Sequence, residues 1–474
     1  MYRGIEIEKI KENDNHICMY IDQNKNSITS SYPRGGWMVK VTIIIGLLFF
    51  NSLLWSQETW KIGDCIDYAL EHNLDLNLKY NEVETGQVTL KESKTQLYPD
   101  LNMGSGLDYN FGRAITGDNT VTFDPTLSNN YYLISSFTLF QGMVKRNNIK
   151  YQDFLLKAKL EELEIEKNQL VTRILSSYYT VLYSKGLTEV AESQLSLSQQ
   201  QFERMLKFVE VGKESPIAAQ DLKSQMAADQ LSLTKAENQL NKALLELKQL
   251  LRLNASQSFD IAEMPENDFT ILSEYHIEEV YTMAAEVLPQ LKKQEFLLGL
   301  SERDLKIAKG YIYPSVGMQI GVNSGFYSTS DINFMKQIEN NQNQWIGASV
   351  RIPIFNQHQT TSRIKRKRIA VNSQKIQVEK HREALYIEVW NAIEDLGSAE
   401  KEYKSSEELY DFSNLNLKNV TKKLEKGLAN TTEFETAKQR FISAKANLLK
   451  SKMIYIMRSD MLEFYQTGHW AHLY

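Results

Sequence analysis

The chain has 474 residues and a formal net charge of −5, with 54 Lys or Arg against 59 Asp or Glu. That balance gives no overall basic field to hold nucleic acid, and a hydrophobic fraction of 42% excludes wholesale disorder. The two cysteines and seven histidines fall into no zinc-ligand spacing, so we expect no structural metal site and no cofactor.

The first part of the chain predicts an exported protein. The apolar run Val41–Leu54 has about 14 residues, fewer than the roughly 20 that a bilayer-spanning helix needs. We interpret residues 38–56 as a signal peptide that is cleaved near Ser56 or Gln57, and residues 1–37 as a non-native or mis-annotated extension. No later window resembles a transmembrane helix, so membrane insertion would require a closed β-barrel.

The rest of the chain is a tandem duplication with an offset of 215 residues. Pairs of landmarks keep this offset across more than 120 residues, which coincidence does not explain. They are Pro99 and Pro314, Phe140 and Phe355, and Gly212 and Gly427. We therefore divide the chain into a first repeat at 57–253, a linker at 254–275 and a second repeat at 276–474.

Each repeat predicts a helix, a pair of strands, a very long helix, a tight turn and a return helix. The first helix stops before the proline, which cannot donate a backbone hydrogen bond. The strand pairs are expected at 100–140 and 315–355, where apolar residues alternate with small or polar ones. The apolar positions are Leu101, Met103, Leu107, Tyr109, Phe137 and Leu139 in the first repeat, and Val316, Met318, Ile320, Val350 and Ile352 in the second.

The long helix of the first repeat is predicted from about Gly142 to Phe208. No proline interrupts it, and its leucines follow the three-four spacing of an amphipathic helix. A helix of about 67 residues would extend roughly 100 Å, which is too long for an ordinary globular domain. Gly212 and Gly427 then supply the turns, and the return helices are expected to pack antiparallel to the long ones.

The number of strands excludes a barrel made by one chain. Two repeats give four strands, whereas the smallest membrane barrels have about eight. Two chains would give about eight strands with a filled interior, and three would give about twelve with a lumen. In either assembly the apolar strand positions would face lipid.

Taken in order, these elements resemble the TolC-like outer membrane efflux proteins. The resemblance rests on the twice-repeated sequence of helix, Tyr-Pro, two strands ending in Leu-Phe-Gln-Gly or Pro-Ile-Phe-Asn, long helix and glycine turn. It implies a mainly α-helical homotrimer with a 12-stranded barrel in the cell outer membrane, four strands per chain, joined to a helical tunnel through the periplasm. It also implies a passive channel of a tripartite efflux or type I secretion system that works with a periplasmic adaptor (membrane fusion protein) and an inner-membrane transporter.

The same resemblance implies a periplasmic entrance lined by acidic residues past the helix turns. Glu433 occupies one such position and Asp221 lies in the equivalent part of the first repeat, although both could be ordinary solvated carboxylates. Thr436 stands where a second acid is usual. Glu435 is a weaker candidate, because Thr432 and Glu435 have the spacing of a capping box.

The glycine turns resemble the sites where adaptor hairpins dock. The residues concerned are Gly212, Lys213, Gly427 and Leu428. Glycine would be needed for the turn whether or not an adaptor binds.

Two features leave alternatives open. The basic run Arg363–Arg368 could be a solvated helix face or could contact anionic lipid headgroups. The whole chain could instead be a periplasmic coiled-coil scaffold or tether without pore activity. We expect no enzyme, because the sequence contains no catalytic motif with a suitable context.

Overall fold

Helices make up most of the chain, and they recur with the predicted offset. The computed structural model describes residues 59–115, 120–262 and 275–470. The expected extension at 1–37 and signal peptide at 38–56 lie outside these residues.

The first repeat contains four helices and four strands, which are numbered here in chain order. They are α1 (Ile62–His72), α2 (Leu74–Thr95), β1 (Asn102–Asn110), β2 (Ala114–Ile115), β3 (Val121–Thr122), β4 (Thr126–Gln141), α3 (Val144–Glu210) and α4 (Pro216–Leu250). The elements of the second repeat are α5 (Ile277–Val287), α6 (Pro289–Gly310), β5 (Ser315–Tyr327), α7 (Phe334–Asn340), β6 (Asn343–Arg351), α8 (Gln359–Glu425) and α9 (Thr431–Thr467).

The duplication is visible in the helix boundaries. Helices α5, α6, α8 and α9 each begin 215 residues after α1, α2, α3 and α4, respectively. The two long helices, α3 and α8, both contain 67 residues. Each follows a residue with left-handed backbone, Met143 at φ 63° and His358 at φ 59°. The prediction of a duplicated fold with two very long helices is therefore confirmed.

Four strands form one antiparallel sheet in the order β1-β4-β5-β6. The first repeat contributes one half of the sheet and the second repeat the other half. Below it, the helices that lead into and out of the strands pack in the same order, α2 on α3, α3 on α6 and α6 on α8. The sheet thus ends at β1 and β6, and the helix layer ends at α2 and α8.

Beyond this layer each long helix packs against its return helix, α3 against α4 and α8 against α9. Ser215 caps α4 by accepting a hydrogen bond from the backbone N–H of Ile217, and Pro216 occupies the first helical position. Asn430 caps α9 by accepting from the N–H of Glu433. The predicted helical hairpins are confirmed.

The largest core lies where the short helices meet the middle of α3. Its members share almost complete burial and come from α1, α3, the segment after α4, α5 and α9. Tyr178 adds a polar tie, because its hydroxyl lies 3.3 Å from the carbonyl oxygen of Trp60 and 3.2 Å from that of Ala262. Fully buried members include Ile66, Ile174, Leu251, Ile261 and Leu462.

The junction between β4 and α3 is a close backbone contact. Gly142 has a φ of 54°, and a Cβ at this position would overlap the carbonyl oxygen of Gly310 at the end of α6. Gly310 in turn lies against Val144. Glycine is required at residue 142 both by its backbone conformation and by the lack of space.

Candidate functional site

The strand register places the predicted apolar positions on one face of the sheet. Directly paired residues share a face, and the pairs include Met103 with Leu133, and Phe137 with Met318. Met318 in turn pairs with Ala348 of β6. The opposite face carries small and polar residues from all four strands. Its members include Gly104, Asp108, Ser136, Gly317, Gln319 and Ser349.

This apolar face is solvent-exposed in the single chain. Met103 is 81% exposed and Ile346 is 68% exposed. Monomeric soluble proteins rarely present a continuous apolar surface of this kind, so it marks a site of contact with lipid or another protein. The other exposed apolar positions here include Leu101, Leu107, Tyr109, Ile320 and Val350.

Two of the predicted apolar positions differ from the expected alternation. The register between β4 and β5 shifts between Thr138 and Phe140, so that Phe140, and not Leu139, pairs with Val316. A bulge adds one residue to a strand and reverses the alternation beyond it. Ile352 lies just past the end of β6, because the strand stops at Arg351 before Pro353.

The loops at the far end of the sheet are more structured than expected. The segment predicted as a loop up to Asn130 contains the hairpin of β2 and β3, and β4 already begins at Thr126. Between β5 and β6 lies α7, whose buried Gln337 donates to the carbonyl oxygen of Ile332 at 2.7 Å and accepts from the N–H of Tyr327 at 3.0 Å. These hydrogen bonds fix the loop against the sheet.

The two helix turns at the opposite end have matching geometry. Gly212 has a φ of 74° and Gly427 has a φ of 71°. In each turn the next residue closes a wide hydrogen bond, from the N–H of Lys213 to Phe208 at 2.8 Å and from that of Leu428 to Lys423 at 2.9 Å. This is the Schellman arrangement, which requires the left-handed residue that glycine supplies.

The side chains at these turns are available to a partner. Leu428 is 73% exposed, and Lys213 is exposed beside its glycine. Asp221 and Glu433, which we predicted at the entrance, are exposed on the first turns of α4 and α9. In this single chain the structure does not bring the two carboxylates together with any partner group. Their role at an entrance stays a prediction.

The predicted capping box of Thr432 and Glu435 is wrong. Asn430 caps the helix instead, which moves the box position from Glu435 to Glu433. Glu435 turns inward, and its carboxylate lies 2.7 Å from Nζ of Lys438.

Lys438 belongs to a buried polar cluster that sequence analysis did not predict. The side chain is fully buried, and its Nζ lies 3.2 Å from the carboxylate of Asp229 and 2.7 Å from the hydroxyl of Ser198. The Asp229 carboxylate also accepts hydrogen bonds from Ser198 and, at 2.5 Å, from Gln194. The cluster thus joins α3, α4 and α9 a few turns from the helix tips.

A signal for this cluster was present in the spacing of the return helices. Lys438 lies four residues after Phe434 and three before Phe441, so it occupies the buried stripe of α9. Asp229 has the same kind of position, four residues before Leu233 on α4. Two opposite charges on apolar stripes predict a buried pair, which is costly to break.

A second buried polar contact lies nearer the sheet. The Tyr179 hydroxyl donates to the Asp460 carboxylate at 2.7 Å. Burial, together with the negative charge of Asp460, raises the pKa of the Tyr179 phenol far above its ordinary value, so this tyrosine stays protonated. The contact joins α3 to α9 and performs no proton transfer at neutral pH.

Within the described ranges, no group of three or more His, Cys, Asp or Glu side chains is placed to hold a metal ion. In the same part of the chain, no helix has a stretch both long and apolar enough to cross a bilayer. The free thiol of Cys65 is buried, and that burial raises its pKa to about 12. A thiol in this environment is a packing group and a poor nucleophile.

Comparison with known proteins gives a family and a fold. Residues 65–251 match the model of the outer membrane efflux protein family. The chain is similar to the probable outer membrane lipoprotein SilC of Salmonella typhimurium, with 20% identity over 449 residues that cover 90% of this chain and 87% of that protein.

Among solved structures, the chain is similar to CusC, with a TM-score of 0.75, 16% identity and coverage of 88% of this chain and 96% of that one. It is also similar to the outer membrane channel CmeC of Campylobacter jejuni, with a TM-score of 0.69, 14% identity and 94% coverage of both chains. These likenesses cover both repeats and the sheet between them. The family match and the shared fold confirm the resemblance drawn from the sequence, and the chain belongs to the TolC-like outer membrane efflux proteins.

Proposed function

We propose that this chain forms the passive outer-membrane exit duct of a tripartite efflux or type I secretion system. The observation that carries the proposal is that the sheet and the helix layer have open edges at the same two places. In both, one edge belongs to the first repeat and the other to the second. A chain with two different edges of this kind can be continued by copies of itself.

The edges have the chemistry that such pairing needs. Strands β1 and β6 each have a partner strand on one side only within the described sheet, so their other backbone groups remain available. The edge helices carry exposed apolar side chains that a neighbouring copy would cover. These are Leu74, Leu78 and Val88 on α2, and Ile369, Ile376 and Ile387 on α8.

Counting strands sets the number of copies. Three chains with four strands each give a barrel of about twelve strands, wide enough to leave a lumen. Its apolar face would contact the lipid of the outer membrane, and the long helices would extend into the periplasm. Two copies would close only about eight strands, whose interior side chains fill the space. The homotrimer therefore fits the family and the sheet.

The helix tips would meet the rest of the export system. The exposed turns at Gly212 and Gly427, with Lys213 and Leu428, have the place and geometry to receive a periplasmic adaptor that links the duct to an inner-membrane transporter. Three copies of Glu433, and of Asp221, would surround the entrance and attract cations. Substrate choice would then lie largely with the transporter.

No chemical step is assigned to the chain. The family is one of transport proteins, and the buried ionisable groups described above are engaged in contacts between helices. Lys438 with Asp229, and Tyr179 with Asp460, each join two helices within the protomer. The contents of the duct would pass along its wall unaltered.

The lipid-facing role can be tested with neighbouring substitutions on β5. Met318 lies on the apolar face and Gln319 on the opposite face of the same strand. A Lys on a lipid-facing position near the bilayer midplane costs about 2–4 kcal/mol, whereas a lumen-facing position tolerates it. We expect Met318→Lys to reduce the amount of heat-resistant trimer in membranes, with Gln319→Lys close to the wild type.

Conductance across a planar bilayer separates the duct from the scaffold. A duct gives discrete conductance steps for the wild type and for Gln319→Lys, with an altered step size in the latter because the added charge lies in the lumen. A periplasmic scaffold would be recovered without detergent and would give no steps. Equal effects of the two substitutions on membrane insertion would contradict the assigned strand faces.

A further inference from the structure

The helix ends next to the sheet are strongly basic, although the chain as a whole is acidic. The ten residues nearest the sheet on each of α2, α3, α6 and α8 contain thirteen Lys or Arg against four Asp or Glu. At the opposite ends of the long and return helices, the corresponding forty residues contain eight basic and six acidic side chains. Positive charge is therefore concentrated beside the sheet.

Most of the acids in this region are already neutralised. Asp153 pairs with Lys157 at 2.9 Å, and Asp304 pairs with Lys367 at 2.6 Å. Several of the cations, by contrast, form no ion pair among the described residues. These are Arg146, Lys150, Lys365, Arg366 and Arg368.

Helical spacing assigns one set of these cations to a common face. Arg146 and Lys150 lie five turns before Glu164 and Asn168 on α3, and those two residues line a cavity together with Trp470. The cavity marks the face of the helix layer that is covered by α1, α5 and the end of α9. Arg146 and Lys150 therefore point to the same side as these covering elements.

Corresponding positions on α6 and α8 agree with this assignment. Arg303 follows the cavity residue Lys292 by about three turns on α6. On α8, Arg368 precedes Tyr386 by five turns, and the ring of Tyr386 contacts Tyr281 of α5 at 5.3 Å. The basic collar is defined here as Arg146, Lys150, Arg303 and Arg368, which lie on the face that carries the covering elements.

An apolar belt lies between the collar and the sheet. It consists of exposed residues at the helix-proximal ends of the strands, among them Phe355, which is 77% exposed. Apolar and aromatic residues followed by cations are typical of the boundary between hydrocarbon and lipid headgroups. The other members are Tyr98, Leu101, Tyr313, Val350, Ile352 and Ile354.

We propose that the basic collar binds the phosphate headgroups of anionic phospholipids in the membrane leaflet that faces the helices. This inference rests on the proposed function, because it requires the sheet to lie in a bilayer. The apolar belt fixes the depth of the chain in the hydrocarbon, and the collar then lies at the height of the headgroups. Each cation near such a surface changes anionic-lipid binding by about fivefold, and salt weakens the effect.

The test uses the full chain purified in detergent and exchanged into mixed micelles of phosphatidylglycerol and phosphatidylethanolamine. Retained lipids are counted on the intact protein by native mass spectrometry. The variant is Arg146→Gln with Lys150→Gln and Arg368→Gln. The matched control removes three exposed lysines far along the chain from the sheet, with Lys223→Gln, Lys235→Gln and Lys423→Gln.

The wild type and the control should retain phosphatidylglycerol in preference to phosphatidylethanolamine. The collar variant should lose at least tenfold of that preference, and 1 M salt should produce a similar loss in the wild type. Equal preference in the variant and the control would overturn the inference, as would no preference in the wild type.

Conductance of the same preparations distinguishes this failure from failure of the duct. A protein that conducts but shows no lipid preference retains the proposed function and loses the collar's role. A protein that neither inserts nor conducts loses both.

Discussion

The two long helices, α3 and α8, have the same length and the same place in their repeats, yet they are buried to very different extents. Nineteen residues of α3 are buried, and only seven of α8. Helix α3 packs against α2, α4 and α6, whereas α8 stands at the end of the helix layer. Duplication reproduced the backbone plan, and the position in the layer decided which side chains are covered.

The uncovered side of α8 is itself patterned. Ile369, Ile376, Ile387 and Phe412 are spaced so that they share one face of the helix, and all four are exposed. That face is turned away from α6. In the trimer we expect it to pack against α2 of a neighbouring copy, so that α8 gains between chains the contacts that α3 has within one.

The largest effect should come from the cluster that ties the second repeat to α3. Lys438→Met removes one partner of a buried ion pair and leaves Asp229 uncompensated, which costs about 3–5 kcal/mol of unfolding free energy. Urea unfolding of the detergent-solubilised protein would measure it. Lys423→Met, at an exposed position of α8, should have little effect. Lys438→Met with Asp229→Leu should recover much of the loss, and a double variant worse than the single one would contradict this explanation.

A core truncation in α3 should be somewhat milder. Ile174 is fully buried, so Ile174→Ala should lower the unfolding free energy by about 3 kcal/mol. Ile369→Ala, on the exposed edge of α8, should change the unfolding of dissociated protomers by less than about 0.5 kcal/mol. Similar losses for both would mean that the edge of α8 is already covered within one chain.

Charge on the edge of α8 should affect assembly more than folding. Ile376→Asp with Ile387→Asp should reduce the trimer fraction on unheated gels by at least tenfold, with unchanged helicity by circular dichroism. Burying an unpaired carboxylate at the subunit contact is the physical cause. Asn372→Asp, an exposed polar position on the same helix, is the control. An intact trimer in the double variant would show that another surface holds the copies together.

The smallest effect is a pH dependence from Cys65. Its pKa is raised by burial to about 12 in the folded chain, against about 8.5 in an unfolded one. The protonated thiol is the folded form, so its contribution to stability is complete below about pH 8.5 and declines as the pH rises towards 12. Between pH 8 and 10 the wild type should lose about 2 kcal/mol more than Cys65→Ala in urea unfolding. Parallel losses would remove the role of the thiol.

The sequence predicted the features that depend on local periodicity. The long helix expected from Gly142 to Phe208 runs from Val144 to Glu210, and the alternation in the strands identified a common apolar face. These patterns arise from the geometry of one element and can be read along the chain.

Features that depend on distant partners could not be predicted in the same way. The buried pair of Lys438 and Asp229 joins residues 209 apart, and its third member, Ser198, is 240 residues from the lysine. The shift at Leu139 depends on pairing with β5, which lies about 180 residues further along the chain. The choice of Asn430 over Thr432 as the helix cap was local, but both residues are good caps.

The contact of Gly142 with Gly310 gives the two kinds of seam in a ring of copies different mechanical properties. Inside a chain, this crossing has no side chain to yield and admits no separation of the backbones. At the equivalent crossing between copies, 215 residues further along, Gln357 takes the place of Gly142, and Thr95 that of Gly310. Three rigid seams would then alternate with three compliant ones, and any widening of the ring would be concentrated where one polypeptide meets the next.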